Sequence, residues 1–274
     1  MTFDTSRLQS ELTKLRGATP SHGLGAALAH QLGGAVVYFE QTGSTNDEGI
    51  AAARQGARHG SVFIADSQTA GRGRRGRSWS SPPGENLLFS VLLRPQLELK
   101  TASRLTLAVG LAERDAVAEY TASAPQLKWP NDVWIVRRKL AGILVESQVS
   151  GGQLDSVVIG VGANVLSRDL PEEIASLATS LALCEPAAGA PELSREGVLA
   201  RMLIQLERRL GQFEREGLAS MLEELRLHDA LLGQQVRVDE RRGTARGIDQ
   251  NGALLLESSD GQYFHIENGT VEFD

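Results

Sequence analysis

Seven consecutive residues, Gly71 to Arg77, read Gly-Arg-Gly-Arg-Arg-Gly-Arg: four arginines and three glycines with no apolar side chain among them. Such a run has nothing to bury, so it cannot order itself by hydrophobic packing and must be a loop carried by structure on either side. Its glycines let a backbone approach a ligand closely. Its guanidinium groups are planar, permanently charged forks suited to phosphate or carboxylate oxygens. The chain around it is acidic, with 28 Lys and Arg against 34 Asp and Glu and a net charge of −6. That contrast points to a local anion site and not to a generally basic surface.

The length of 274 residues allows one large domain and a small one. A 41% hydrophobic, 23% charged composition is that of a globular protein. No apolar run reaches the roughly 20 residues that span a bilayer. The start, Met1-Thr2-Phe3-Asp4-Thr5, lacks the features of a secretion signal, and the expected location is the cytoplasm. The single cysteine, Cys184, excludes an internal disulfide and a multi-cysteine zinc site. Only four of the 28 basic residues are lysines, and two of these, Lys128 and Lys139, lie close together. A compact ammonium is something arginine cannot mimic, which draws attention to that pair.

Along the chain, Ser6–Arg16 reads as an amphipathic helix followed by a Gly/Ala-rich connection, and Val36–Glu40 as a strand. Ser44-Thr45-Asn46-Asp47-Glu48 is a helix start with a side-chain cap, and that helix ends near Gly56. Ser61–Ala65 and Asn86–Leu93 read as strands on either side of the Arg/Gly loop, and Thr101–Tyr120 as a buried helix. Leu127–Val136, Leu140–Gln148 and Leu154–Val165 read as three strands, and Ser194–His228 as a helix broken near Gly217. From Gln234 the pattern alternates with a period of two, with turns at Asn251-Gly252 and Asp260-Gly261. The expected domains are a helical extension over 1–35, a main domain over 36–229 and a small barrel over 230–274.

Several segments carry polar groups where a fold has no need of them. The Arg/Gly loop reads as a solvated loop, as a nucleic-acid segment, or as a lid closing on a phosphorylated or carboxylated ligand. The acidic chain and low aromatic content favour the lid, with Trp79 able to cover a ring system. In Lys128-Trp129-Pro130-Asn131-Asp132 the proline marks an edge, bulge or break, either an ordinary turn or a device that aims polar side chains at one point. Arg138-Lys139-Leu140-Ala141-Gly142 opens a strand with a lysine at its mouth and small residues that leave room beside the sheet. Gly160 and Gly162 read equally as packing devices, and Ser44-Thr45-Asn46 as a plain cap or as a set of donors and acceptors for a neutral polar group. The histidines, His22, His30, His59, His228 and His265, show no metal-ligand spacing.

Taken together, these segments resemble the biotin–protein ligases, the bacterial biotin–[acetyl-CoA-carboxylase] ligase family. The matching runs are Thr42–Asn46, Gln68–Trp79, Lys128–Asp132, Arg138–Glu146, Gly160–Asn164 and the C-terminal Arg246–Leu256. The resemblance implies an α+β fold: a mixed β-sheet flanked by helices, of the class II aminoacyl-tRNA-synthetase-like kind, with a small C-terminal SH3-like β-barrel. It implies that biotin's carboxylate attacks the α-phosphorus of ATP to give biotinyl-5′-AMP and pyrophosphate. A lysine of a biotin carboxyl carrier domain of acetyl-CoA or a related carboxylase then takes the biotinyl group as an amide. Carried over residue by residue, Arg72 and Arg74 serve the loop that folds over biotin and adenylate, with Gly71 and Gly73 in its backbone. Lys139 contacts the carboxylate and α-phosphate, beside Gly142. Ser44, Thr45, Asn46 and Gln68 face the biotin rings, and Gly160 and Gly162 line their pocket. Trp79 packs on the adenine side, with Asn164 and Arg246 near the nucleotide, and Asp132 serves the acceptor-lysine step. Mg²⁺ is expected on the ATP phosphates, with no protein ligand assigned. Regulatory members carry a winged-helix DNA-binding domain before the Ser-Thr-Asn motif; only 35 residues precede Val36 here, so a ligase without DNA binding is expected. A homodimer is left open. The rival readings are a lipoate–protein ligase of the same fold and a nucleic-acid-binding regulator using the arginine loop.

Overall fold

The computed structural model describes residues 2–18 and 31–273; His22, His30 and most of the Gly/Ala-rich connection lie outside the described residues. The large sheet has seven strands: β1 (Val36–Thr42), β2 (Val62–Gln68), β3 (Leu87–Leu93), β4 (Gln126–Lys128), β5 (Asp132–Ile135), β6 (Arg138–Ser150) and β7 (Gln153–Ala163). They run in the order β1-β2-β3-β7-β6-β5-β4. Only β1 and β2 pair in parallel, and the crossover between them is helix α2 (Thr45–Arg54). All other neighbours are antiparallel, so the sheet is mixed.

One face of the sheet carries the main core. Alternate residues Phe89 and Val91 of β3, Ile159 and Val161 of β7 and Ile143 of β6 point into it and are buried, as a period of two requires. Helix α4 (Leu105–Ala118) covers this face and packs in turn on α5 (Arg195–Glu216). Helix α1 (Thr5–Ala18) lies on α5 with Leu8 and Leu12 fully buried. A one-turn helix, α3 (Leu99–Ala102), precedes α4, so the stretch expected as one helix from Thr101 is two pieces. Gly217, at φ +70°, ends α5 before a short turn and α6 (Leu222–Leu227). The opposite face is covered only in part, by α2 over a small cluster of Ala53, Phe63, Leu92 and Val158. No helix among the described residues is long and apolar enough to cross a membrane.

The last forty residues form a separate antiparallel sheet. Its strands are β8 (Gln235–Val238), β9 (Arg241–Ile248), β10 (Leu254–Glu257), β11 (Tyr263–Ile266) and β12 (Val271–Phe273), in the order β11-β10-β9-β8-β12. Its inward alternation buries Val236, Val238, Ala245, Leu254 and Leu256.

Two local expectations are corrected. The strand anticipated over Leu127–Val136 is a hairpin, because Trp129-Pro130 interrupts it and turns β4 back on β5, pairing Lys128 with Asp132. Ser44 sits at the N-cap of α2 but makes no side-chain cap bond. The first N–H of the helix, that of Thr45, instead donates to Gln68 Oε1 at 2.7 Å.

Helix α4 also buries a carboxyl group. Glu113 is fully buried and neither carboxylate oxygen has a hydrogen-bond partner, so burial pushes its pKa up to about 8. The folded state therefore holds a proton that the unfolded chain releases near 4.5. The sign follows: stability from this group is intact below the unfolded pKa and falls as pH rises towards 8, by up to about 1.4 kcal/mol per pH unit. Urea midpoints of Glu113→Gln and wild type are expected to diverge in favour of the variant from pH 5 to pH 8 and then run parallel. A constant offset across that range would contradict a buried neutral acid.

Candidate active site

The partly uncovered face of the large sheet is a cross-strand grid, and its register decides what stands where. One row runs Lys128, Asp132, Gly142, Gly162 and Leu88 across β4, β5, β6, β7 and β3. The next runs Leu144, Gly160 and Ser90 across β6, β7 and β3. Glycines at three of these positions strip the surface to backbone and open a cavity of about 530 Å³. It is roofed by the Arg/Gly loop and closed at one side by Gly269–Glu272 of the C-terminal sheet.

At one end of the cavity the groups are polar and neutral. Asn46, in the first turn of α2, is buried over Gly160. Its Nδ2 donates to Glu146 Oε2 at 2.6 Å, and its Oδ1 lies 2.6 Å from Ser90 Oγ. Thr45 Oγ1 donates to Gln68 Oε1 at 3.1 Å. Ser44 is buried beside them and lines the same space. These positions follow from α2 starting at the sheet's edge, so that its first turn overhangs the grid.

At the other end the groups are cationic. Lys139 Nζ lies 2.8 Å from Asp132 Oδ1 and 5.2 Å from the Trp79 ring centroid. Lys128 Nζ donates to Val271 O at 2.7 Å and stands 4.8 Å over the Trp134 ring. Arg74 Nη2 donates to Asn268 Oδ1 at 3.0 Å. Burial pushes the pKa values of Lys128 and Arg74 down, partly offset by the nearby charge of Asp132. Two desolvated cations bonded to neutral oxygens favour an anion brought between them.

The Arg/Gly loop has more internal structure than its composition suggests. Trp79 N donates to Gly71 O at 2.9 Å and Gly73 N to Arg77 O at 2.7 Å, closing a narrow hairpin whose tip residue Arg75 is left-handed at φ +56°. Gly71 is required there: a Cβ would stand 2.9 Å from Gln68 Nε2 and closer still to the Trp79 carbonyl. Arg72 is gripped by two acids, with bonds of 2.6 and 2.7 Å to Asp47 and 3.2 Å to Glu146. The guanidinium holds the Asp47 carboxyl below its usual range. Arg72 thus fastens the stem of the loop to α2 and β6.

Of the residues singled out from sequence, the cavity gathers Ser44, Thr45, Asn46, Gln68, Arg72, Gly73, Arg74, Trp79, Asp132, Lys139, Gly142, Gly160 and Gly162. Trp79, expected on the adenine side, lies on the glycine floor: a Cβ at Gly162 would stand 2.8 Å from its Cδ2 and closer still to its Cε2, and one at Gly142 3.1 Å from its Cζ3. Gly71, Asn164 and Arg246 are not in the cavity wall. Asn164 is buried and donates to Thr179 O at 3.0 Å, holding the segment beside β6. Arg246 is on β9 and pairs with Glu257 of the neighbouring strand. Lys128, singled out with Lys139 but given no role, lines the cavity, and sequence reasoning missed the Gly269–Glu272 segment in its wall and Ser90 and Glu146, which hold Asn46. Ser90 had a visible signal, a lone hydroxyl in the apolar strand Leu87-Leu88-Phe89-Ser90-Val91-Leu92-Leu93.

A mixed sheet followed by a small antiparallel sheet has known counterparts. Residues 38–164 match the profile of the Biotin/lipoate A/B protein ligase family, and residues 231–273 that of the Biotin protein ligase C terminal domain. A biotin--[acetyl-CoA-carboxylase] ligase of Mycobacterium tuberculosis is 39% identical, over 79% of this chain and 81% of the relative. The bifunctional ligase/repressor BirA of Bacillus subtilis is 34% identical, over 84% of this chain and 71% of the relative. The structure of biotin protein ligase from Aquifex aeolicus in complex with biotin and ATP superposes with a TM-score of 0.75. It is 28% identical and aligns over 88% of this chain and all of that one. The chain belongs to the biotin protein ligase family.

Proposed function

We propose that this protein is an ATP-dependent biotin–protein ligase that forms biotinyl-5′-AMP and passes the biotinyl group to a lysine of a biotin carboxyl carrier domain. The observation that carries this reading is the polarity of the slot. Biotin has a neutral, hydrogen-bonding bicyclic head and a terminal carboxylate. Ser44, Thr45, Asn46 and Gln68 suit the head, with Asn46 seated over Gly160 and Trp79 over Gly162, and the cations at the far end suit the carboxylate. ATP brings its α-phosphate to the same cations.

The first step joins two anions, and negative charge grows on the α-phosphate oxygens as the carboxylate attacks. Fixed cations that need no rearrangement supply the main stabilisation. Lys139 and Arg74 are assigned that work, with Lys128 beside them and Gly142 leaving space under Lys139. Arg72 holds the loop down, with Gly71 and Gly73 shaping its backbone and Trp79 packing along the slot. In the second step the acceptor lysine must lose a proton before it attacks the mixed anhydride and AMP leaves, and Asp132, the carboxylate beside Lys139, is assigned that proton. Mg²⁺ is expected on the phosphates of ATP, and no step is routed through it. Asn164 and Arg246 are assigned to support of the fold.

The test is pyrophosphate release from Mg-ATP with biotin and lipoate side by side, followed by label transfer to a carrier domain. Biotin-dependent release with transfer supports the reading; release with lipoate alone would move the chain to the other branch of the family. Arg74→Gly is expected to loosen the roof, so that biotinyl-5′-AMP escapes on the order of tenfold faster and labels exposed lysines indiscriminately. Unchanged retention would refute a lid role for the loop.

A further inference from the structure

The tip of the Arg/Gly loop is fastened to the C-terminal sheet. Arg75 Nη1 lies 2.6 Å from Asp239 Oδ1, Arg77 Nη2 donates to Thr270 Oγ1 at 2.8 Å, and Arg74 Nη2 to Asn268 Oδ1 at 3.0 Å. The partners come from two turns of that sheet, one between β8 and β9 and one between β11 and β12. Those turns are joined to each other, with Thr270 N donating to Asp239 Oδ1 at 3.3 Å. Arg75 and Asp239 both sit in the left-handed region, at φ +56° and +52°, a conformation that costs a residue with a Cβ about 1 kcal/mol or more. With Arg72 holding the stem to Asp47 and Glu146, the loop is a strap fixed at its base to the large sheet and at its tip to the small one. The cavity lies beneath it.

We propose that Asp239, Asn268 and Thr270 are positioning residues that latch the loop, and that release of this latch governs escape of the bound adenylate. The inference rests on the ligase reading for what is retained, but the contact itself does not. The Arg75–Asp239 pair is exposed on both sides, so one pair alone is weak and is screened by salt. Three contacts acting on one hairpin give a latch that holds during adenylation and opens readily when an acceptor arrives.

Two readouts test it on the full chain. The first needs no ligand: trypsin cleaves after Arg74, Arg75 and Arg77 only when the strap lifts. Asp239→Asn keeps an acceptor for Thr270 N and tolerates the left-handed backbone, but removes the charge. It is expected to speed cleavage in the loop about threefold, and the triple variant with Asn268→Ala and Thr270→Ala about tenfold. The charge swap Arg75→Asp with Asp239→Arg should be cut in the loop more slowly than Arg75→Asp alone, which presents the same loop sites, and general loosening of the barrel would not produce that rescue. The second readout is biotinyl-5′-AMP escape, which should rise by the same factors. Its increase with ionic strength in wild type should flatten in Asp239→Asn. Unchanged cleavage overturns the latch whatever the activity. Faster cleavage with unchanged escape overturns its role in retention. Absence of biotin-dependent pyrophosphate release in wild type would defeat the ligase reading while cleavage still decides the latch.

Discussion

Lys139→Ala is expected to slow biotin-dependent pyrophosphate release by 10²–10³-fold, the usual loss when one preorganised charge-stabilising group is removed. The expectation rests on how firmly this lysine is aimed. Its backbone is fixed from both sides, with Lys139 N donating to Leu177 O at 2.8 Å and Thr179 N to Lys139 O at 2.9 Å. Its side chain runs between Asp132 and the Trp79 ring. The backbone bonds survive truncation, so the fold should persist while the ammonium is lost. Removal also leaves Asp132 without its cation, adding a like charge where phosphate must bind. Arginine should not restore the rate. The space is already tight, since a Cβ at Gly142 would stand 2.9 Å from Lys139 Nζ, and a planar fork is wider than an ammonium. Single-turnover pyrophosphate release and transfer from preformed biotinyl-5′-AMP should be measured separately. A loss confined to the transfer step would reassign Lys139 to the acceptor reaction.

Most of the scaffold was legible because periodicity and punctuation are local. Alternation around Gly160-Val161-Gly162 marks a strand with one bare face, and Gly217 marks the end of a long helix at a position that requires a positive φ. The Arg/Gly run could not be anything but a loop. The split at Trp129-Pro130 was half visible, since the proline declared a break but not that the chain would fold back and pair Lys128 with Asp132. What sequence alone could not deliver was distance in space. The acids that hold Arg72, Asp47 and Glu146, are 25 and 74 residues away, and neither carries a motif of its own. The latch to Asp239, Asn268 and Thr270 spans 164 to 195 residues, so nothing near Arg75 announces it. Arg246 sits in a segment that resembles the family, yet its partner is simply the acid on the next strand. A motif gives residue types in order; whether a charge is available depends on what the register sets opposite it.

That dependence on register makes the glycine floor the second sensitive place. Gly160→Ala is expected to raise the KM for biotin at least fiftyfold and to cost about 1–3 kcal/mol of stability, the range for overpacking a rigid site. The added Cβ would stand 2.8 Å from Asn46 Cγ and 2.9 Å from its Nδ2, inside any tolerable contact. Asn46 cannot step aside cheaply. It is in the first turn of α2, buried, and held by Ser90 on one side of its amide and Glu146 on the other. Moving it unpairs buried polar groups in addition to filling the slot. Gly162→Ala meets the Trp79 indole instead, and an indole carried on a hairpin can lift, so a smaller stability loss and a faster-opening loop are expected there. Gly43→Ala is the control, because a Cβ at that position meets nothing within 4 Å. Adding Asn46→Ala to Gly160→Ala relieves the clash but removes the amide, so stability should recover while biotin affinity does not. Urea midpoints and biotin titrations on the four variants separate these effects. If Gly160→Ala binds biotin as wild type does, the bare face of β7 is not the floor of the biotin site.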